Sequence, residues 1–166
     1  MAQTQQVQKP PFPQIGEVFE LTSNSELSGI WMIRHLEKPH DPSKWRFTGT
    51  NIPEGMTKRF KLVEFGYQPS FAAVVKMYTK HGKIPEGVWM QSFYEIFNKG
   101  DYYLGYLRGN IGVPDASWER AESVHYMIGV IRGEVCFPAI GQFGHWMFCS
   151  VDRHFLGDWC WLVEAE

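Results

Sequence analysis

The chain has 166 residues, of which 44% are hydrophobic and 16% aromatic, and its formal net charge is −2. This length predicts one domain with a well-buried core, and the aromatic share indicates that the core or a surface groove is built from rings. The nearly balanced charge excludes a global attraction to nucleic acid or anionic lipid. The sequence contains no run of about eighteen apolar residues, so no membrane-spanning helix is predicted.

The first fourteen residues, MAQTQQVQKPPFPQ, are rich in Gln and Pro and carry little that a core would bury. This composition predicts a disordered arm over 1–14 and a single domain over 15–166. No apolar signal segment follows Met1, and the three cysteines have no framework spacing. These features predict a soluble cytoplasmic protein with reduced thiols.

The amino-terminal half of the domain predicts two strands separated by an ambiguous segment. Residues 15–22 (IGEVFELT) alternate apolar and polar side chains over their second half, as a half-buried strand does. Residues 25–37 have apolar side chains at helical spacing, but Gly29 weakens a helix, so helix and strand both stay open. Residues 57–67 (TKRFKLVEFGY) again alternate and predict a strand.

Two helices are predicted next, over 71–81 and 86–97. Ser70 is a suitable N-cap for the first helix, and Gly82 is suited to end it. Pro85 fits the first turn of the second helix, which has an apolar stripe of its own. The short link between them predicts an αα-hairpin.

The rest of the chain predicts four strands, at 124–131, 134–140, 145–151 and 159–164, with the first two joined as a hairpin at Arg132-Gly133. Strands that precede and follow a helix pair are typical of an α+β fold. We therefore predict a mainly antiparallel sheet with the two-helix hairpin, about 71–97, packed on one of its faces.

The closing stretch from His145 to Glu166 is rich in Trp, Cys and His. Its two strands are apolar on both faces, which is typical of a sheet covered on both sides, so we interpret its cysteines as structural. Zinc binding is one alternative, because five side chains supply enough donors, although no C-x₂₋₄-C pair is present. These donors are Cys136, His145, Cys149, His154 and Cys160.

A Cys–His nucleophilic pair is a second alternative, with Cys149 or Cys136 beside His125 or His154. No family signature surrounds these cysteines, and the common nucleotide, dinucleotide and metalloprotease motifs are missing from the sequence. Asp115, in VPDASW, has the placement of a turn residue. We therefore predict no metal and no cofactor.

A basic and aromatic region lies between residues 44 and 61, in SKWRF and TKRFKL. Lysines and arginines next to Trp45 and Phe47 are the side chains that would contact phosphates and stack bases. Single-stranded nucleic acid is therefore one alternative ligand. The slightly negative net charge favours an ordinary solvated face instead.

The loop DYYLGYLRGNIGVPDASW concentrates aromatic side chains among glycines. Tyr and Trp are enriched at binding hot spots, and we predict that Tyr103, Tyr106, Arg108 and Trp118 border a ligand or partner surface. The predicted function is a small non-catalytic binding or regulatory domain, with an enzyme that uses His, Cys or Asp in a ring-lined pocket as the alternative. The predicted partners are a second copy of the chain, another protein or a small molecule.

The segment KRFKLVEFGY and the later GKIPEGVWMQSFYEIF, with its Gly-x-Ile-Pro-x-Gly-x-Trp pattern, resemble short uncharacterised bacterial proteins. These proteins are encoded by mobile accessory genes such as integron cassettes. The resemblance covers the middle third of the chain. It implies a bacterial mobile-element origin and no particular activity.

Overall fold

The computed structural model describes residues 12–36, 42–97, 109–121, 133–141 and 146–165. Within these ranges the chain forms one eight-stranded sheet and three α-helices. The helices are α1 (Gly29–Arg34), α2 (Phe71–Tyr78) and α3 (Trp89–Phe97). The strands are β1 (Phe19–Thr22), β2 (Trp45–Phe47), β3 (Thr57–Glu64), β4 (Ile111–Gly112), β5 (Trp118–Ala121), β6 (Gly133–Ile140), β7 (Trp146–Ser150) and β8 (Cys160–Glu164).

The sheet is mainly antiparallel, which confirms the predicted α+β class. Its strand order is β1-β3-β8-β4-β6-β5-β2, with β7 paired to β6, and β4 with β8 is the parallel pair. Ala139 of β6 pairs with Gly112 of β4 and with Met147 of β7, while Cys136 pairs with Trp118 of β5. Because a strand has two edges, β4 and β5 lie end to end along one edge of β6 and β7 lies along the other.

Three of the four strands predicted in the carboxyl-terminal part are present as β6, β7 and β8. The fourth, 124–131, lies outside the described residues. Its predicted hairpin with 134–140 is not found, because β4 and β5 occupy one edge of β6 and β7 the other. The strand that pairs with the beginning of β6 is β5, since Ala121 pairs with Gly133. The prediction of one short strand within 101–118 agrees with β4, although residues 101–108 are not described.

The ambiguous segment is a helix, α1. The Ser28 hydroxyl caps it by accepting a hydrogen bond from the Trp31 N–H at 3.3 Å. Gly29, which weakened the helical interpretation, is needed at this position because a Cβ there would overlap the Phe47 ring. The glycine is therefore explained by a neighbour that is distant in sequence, and its cost in helix propensity is confined to the first turn.

Both predicted helices exist, and both are shorter than predicted. The Ser70 hydroxyl accepts the Ala73 N–H at 3.1 Å, which confirms the predicted N-cap of α2. This helix ends at Tyr78, and turns lead to Gly82. The second helix was predicted to begin at residue 86, but residues 87–88 form a turn and α3 begins at Trp89.

The core has two parts, one on each face of the sheet, because β-strand side chains alternate between faces. One part, here the α3 face, includes the α3 side chains together with Phe60, Leu62, Cys160 and Leu162. The other, here the α2 face, includes the α2 side chains together with Phe137, Trp161 and Val163. The closing strand β8 is thus covered on both sides, as its apolar sequence predicts.

The predicted packing of both helices on one face is not confirmed, because their buried side chains belong to different parts of the core. The link between them explains the difference. Lys83 exchanges two backbone hydrogen bonds with Glu164 at the end of β8, at 3.1 and 2.9 Å. The link therefore extends the sheet at this point, and α2 and α3 leave it towards opposite faces.

Part of the predicted disordered arm packs on the domain. Residues 1–11 lie outside the described ranges, whereas the Phe12 ring contacts Phe93 and Phe97 of α3 at centroid distances of 5.9 and 5.7 Å. Among the helices that the structure describes, none has both the length and the apolar character needed to cross a membrane.

Candidate ligand-binding groove

An open groove of about 310 Å³ lies where three loop segments meet. One segment follows β2, one precedes α3 and one joins β4 to β5. This volume is at the lower end of the range for small-molecule sites. The groove is lined by Gly49, Thr50, Ile84, Pro85, Glu86, Pro114, Asp115, Ala116 and Ser117.

Asp115 connects two of the three segments through its carboxylate. Its Oδ2 accepts the Gly87 N–H at 2.7 Å, and its Oδ1 accepts the Ser117 hydroxyl. The first bond holds the residues before α3 against the β4–β5 loop, and the second closes a tight turn within that loop. Hydrogen bonds to an ionised acceptor are stronger than neutral ones, so this carboxylate is the main polar tie of the groove.

The third segment is attached through Ser117. The Ser117 carbonyl accepts the Thr48 N–H at 2.9 Å, so the backbone that follows β2 runs beside the β4–β5 loop. The loop itself is anchored on the sheet, because the Val113 N–H donates to the Pro138 carbonyl at 3.2 Å. Hydrogen bonds therefore hold all three segments of the groove in place.

Trp118 supports the groove from inside the core. A Cβ at Gly87 would lie 2.6 Å from Cζ3 of the Trp118 ring, so the backbone before α3 packs directly on the indole. The indole Nε1 donates to the Gly29 carbonyl at 3.2 Å, which satisfies its polar atom. Gly87 is thus required for close approach, and its place just before α3 explains why the helix starts late.

A shared ion pair borders the groove. The Lys58 Nζ lies 3.5 Å from Oε2 of Glu86 and 3.4 Å from Oε1 of Glu164. The Glu86 Oε2 atom is buried yet receives no hydrogen bond of good geometry, so the contact with Lys58 is an ion pair at long distance. Partly exposed pairs of this kind contribute about 0–1 kcal/mol.

The four predicted site residues have different outcomes. Tyr103, Tyr106 and Arg108 lie outside the described residues, so their role stays a prediction. Trp118 is 0% exposed, and its indole offers no contact area at the protein surface. Its burial follows from the close contact with Gly87 and from the hydrogen bond to Gly29.

The basic and aromatic region does not form the predicted stacking surface. Its two stretches belong to β2 and β3, which are not neighbours in the sheet. Trp45 is 8% exposed and packs on Phe148 at a centroid distance of 5.1 Å, so its ring is covered. Lys58 faces the carboxylates of Glu86 and Glu164. This arrangement gives no support to binding of single-stranded nucleic acid here.

All three cysteines are buried and form no disulfide with one another, in agreement with the structural interpretation. Burial raises the pKa of the Cys149 thiol, an effect that Arg153 partly opposes. Burial, with the carboxylates of Glu64 and Asp158, raises the pKa of Cys160 to about 12. Both thiols are therefore protonated at neutral pH and are weak nucleophiles.

One of the five candidate zinc donors, His145, lies outside the described residues, as does His125 of the Cys–His alternative. Among the residues that are described, no three His, Cys, Asp or Glu side chains are grouped as a metal site requires. The raised pKa of Cys160 also disfavours the thiolate that zinc binds.

Two groove residues were missed by the sequence reasoning or assigned only a local role. Glu86 received no role, and Asp115 was interpreted as a turn residue. Both carboxylates follow an apolar residue and a proline, in Ile-Pro-Glu at 84–86 and Val-Pro-Asp at 113–115. Ile-Pro-Glu also occurs at 52–54, where Glu54 lies outside the groove lining, so this pattern does not identify the site. Only the fold brings residues 84–86 and 113–115 to one groove.

Comparison with protein-family models, curated proteins and solved structures finds no match to this chain. The resemblance of residues 58–97 to bacterial mobile-element proteins stays a prediction.

Proposed function

We propose that this chain is a non-catalytic binding domain whose small-molecule site is the groove around Asp115. The observation that carries the proposal is the pair of hydrogen bonds that the Asp115 carboxylate accepts from the Gly87 N–H and the Ser117 hydroxyl. A groove whose walls are held together before a ligand arrives loses little conformational entropy on binding. Loops fixed on a rigid sheet in this way are common positions for binding sites.

The chemistry of the groove favours binding over catalysis. Both carboxylate oxygens of Asp115 accept structural hydrogen bonds, so the group is engaged in holding the loops. Among the described residues that line the groove there is no His, Cys or aromatic side chain, in contrast to the ring-lined pocket of the enzyme alternative. The buried cysteines lie elsewhere, on the strands of the sheet.

The test is a fragment-binding experiment followed by NMR on the isotope-labelled protein. A library of neutral, cationic and anionic fragments is expected to contain ligands that shift the amide signals of Thr50, Gly87 and Ser117. Ala116 is exposed and lines the groove, so Ala116→Trp should block these ligands without disturbing the ties of Asp115. Ala72→Trp, on the exposed side of α2, is the matched control.

The proposal is wrong if no fragment shifts the groove amides of the folded protein. It is also wrong if the fragments that do so bind Ala116→Trp as well as they bind Ala72→Trp. Both variants must show the amide spectrum of the native fold for this comparison.

A second candidate function, contact with a second copy of the chain, is favoured by a different surface. Tyr67 and Leu156, at 59% and 58% exposed, are on two loops joined by paired hydrogen bonds between Gln68 and Phe155, at 2.9 and 2.8 Å. The His154 ring lies 6.1 Å from the Tyr67 ring. Exposed apolar side chains that adjoin one another are a feature of protein interfaces.

Sedimentation velocity over a range of protein concentrations tests this second function. Wild type is expected to self-associate, and Tyr67→Ser with Leu156→Ser should shift it to monomer. Met56→Ser removes another exposed apolar side chain, away from these loops, and serves as the control. A wild-type protein that stays monomeric at the highest concentration would eliminate this function.

A further inference from the structure

We infer that the aromatic surface formed by Phe19, Phe93 and Phe97 binds an extended peptide segment in which a phenylalanine is followed by a proline. In this structure the chain's own Phe12 and Pro13 occupy it, and the same two residues presented by another polypeptide would take their place. The inference goes beyond the proposed function, because the groove has a different lining.

The receiving surface is built from α3 and β1. Phe93 and Phe97 lie four residues apart on one face of α3, and their ring centroids are 4.9 Å apart. The Phe19 ring of β1 lies 6.0 and 5.7 Å from these two rings. The Ser92 hydroxyl donates to the Thr22 carbonyl at 3.1 Å and holds α3 against β1. The three rings are therefore positioned by secondary structure elements and not by the segment that covers them.

The Phe12 ring is seated on this surface in a specific geometry. Its centroid lies 5.9 Å from that of Phe93 and 5.7 Å from that of Phe97, with interplanar angles of 89° and 66°. Edge-to-face arrangements of this kind are the favourable ones for aromatic pairs. Phe12 is partly buried and Pro13 is buried. The surface therefore recognises both the ring and the proline that follows it.

The sequence around Phe12 prepares it for this contact. Prolines precede and follow it at positions 11 and 13, and a residue before a proline disfavours the helical conformation. Proline-rich segments favour the extended polyproline II conformation and bind aromatic-lined grooves. Because little conformational freedom remains to be lost, a separate peptide of this sequence can bind without the rest of the chain.

The docked segment is joined to the sheet through a turn at 14–17. The Glu17 N–H donates to the Gln14 carbonyl at 3.1 Å, and the Gly16 N–H donates to the Leu62 carbonyl at 2.8 Å. The pairing of β1 with β3 begins beyond this turn. The segment before the turn can therefore leave the surface while the sheet stays paired, which is what exchange with another polypeptide requires.

NMR titration of the isotope-labelled full chain with a synthetic peptide tests the inference. The peptide is KPPFPQ, the sequence of residues 9–14. It is expected to shift the amide signals of Phe93 and Phe97 in the variant Phe12→Ala. Wild type should bind the peptide roughly tenfold more weakly, because its own Phe12 competes through two ring contacts. The peptide KPPAPQ, which lacks the ring, should bind neither protein.

Two further variants complete the experiment. Ile15→Ala removes a 45% exposed apolar side chain close to Phe12 in the chain, and it should bind KPPFPQ as weakly as wild type. Phe12→Leu removes the ring contacts and keeps apolar bulk, so it replaces Phe12→Ala if the alanine variant does not fold. Each variant must show the amide spectrum of the native fold.

Three results would overturn the inference. One is a folded Phe12→Ala variant that does not bind KPPFPQ, and another is equal affinity of the peptide for this variant and wild type. The third is equal binding of KPPFPQ and KPPAPQ. Peptide-induced shifts at Thr50 and Ser117 in place of Phe93 and Phe97 would place the peptide in the groove, which overturns this surface and leaves the proposed function standing.

Discussion

Replacing Asp115 by alanine removes both ties that its carboxylate makes across the groove. The Gly87 N–H and the Ser117 hydroxyl then lose their acceptor. Asp115→Asn is a milder change, because the amide oxygen still accepts the Gly87 N–H and the amide NH₂ can donate to the Ser117 hydroxyl oxygen. We therefore predict an order of stability of wild type, then Asp115→Asn, then Asp115→Ala.

The magnitude follows from the two bonds. A hydrogen bond to a charged group contributes about 1.5–3 kcal/mol when buried. Asp115 is only partly buried, so solvent screening lowers each contribution to about 1–1.5 kcal/mol. Asp115→Ala should then lose about 2–3 kcal/mol of unfolding free energy and Asp115→Asn about 1 kcal/mol. For a domain of this size the alanine variant should melt roughly 4–12 °C lower.

Urea denaturation followed by tryptophan fluorescence measures these differences, and equal transition slopes are expected for wild type and the variants. Asp152→Ala is the matched control, because Asp152 is exposed and lies outside the groove lining. The control should stay within about 0.5 kcal/mol of wild type. The reasoning is refuted if Asp115→Ala is as stable as Asp152→Ala, or if Asp115→Asn loses as much stability as the alanine variant.

Three further predictions concern the core and its titration. Gly87→Ala forces a methyl group against the Trp118 ring and should lower the free energy of unfolding by about 1–3 kcal/mol. Equal stability of this variant and wild type in urea would contradict that packing. The Tyr78 phenol donates a hydrogen bond to the Leu162 carbonyl at 2.8 Å. Tyr78→Phe should therefore lower the free energy of unfolding by about 1–2 kcal/mol. An unchanged melting temperature of this variant would contradict the prediction. The Cys160 thiol has a folded pKa of about 12 against an ordinary 9.0, so the folded state holds this proton more tightly. Stability should therefore fall as pH rises between these values, more steeply in wild type than in Cys160→Ser, and parallel pH profiles of the two proteins would refute it.

Sequence reasoning succeeded for features that depend on neighbouring residues. Ser70 was predicted to cap α2 because a hydroxyl reaches an N–H three residues ahead, and it does so at 3.1 Å. The apolar character of both faces of β8 predicted a strand covered on both sides, which the two parts of the core confirm. Alternation and capping are local consequences of backbone geometry, so the sequence displays them directly.

The placement of the helix pair was beyond that reasoning. The apolar stripes of α2 and α3 each require a partner, but a stripe carries no information about which face of the sheet supplies it. The hydrogen bonds between Lys83 and Glu164 decide the matter by adding the link to the sheet. Trp118 is a similar case, because a ring in a glycine-rich loop has the same sequence signature whether it is exposed or buried.

The sequence by itself therefore determined the α+β class, most of the described elements and the buried state of the cysteines, since each depends on residue type and short-range periodicity. The tertiary structure alone decided that one helix packs on each face and that Glu86 and Asp115 line one groove. These outcomes depend on contacts between segments far apart in the chain, such as the bond from Gly87 to Asp115. Contacts of this kind form only when the sheet brings the segments together, and no local pattern encodes them.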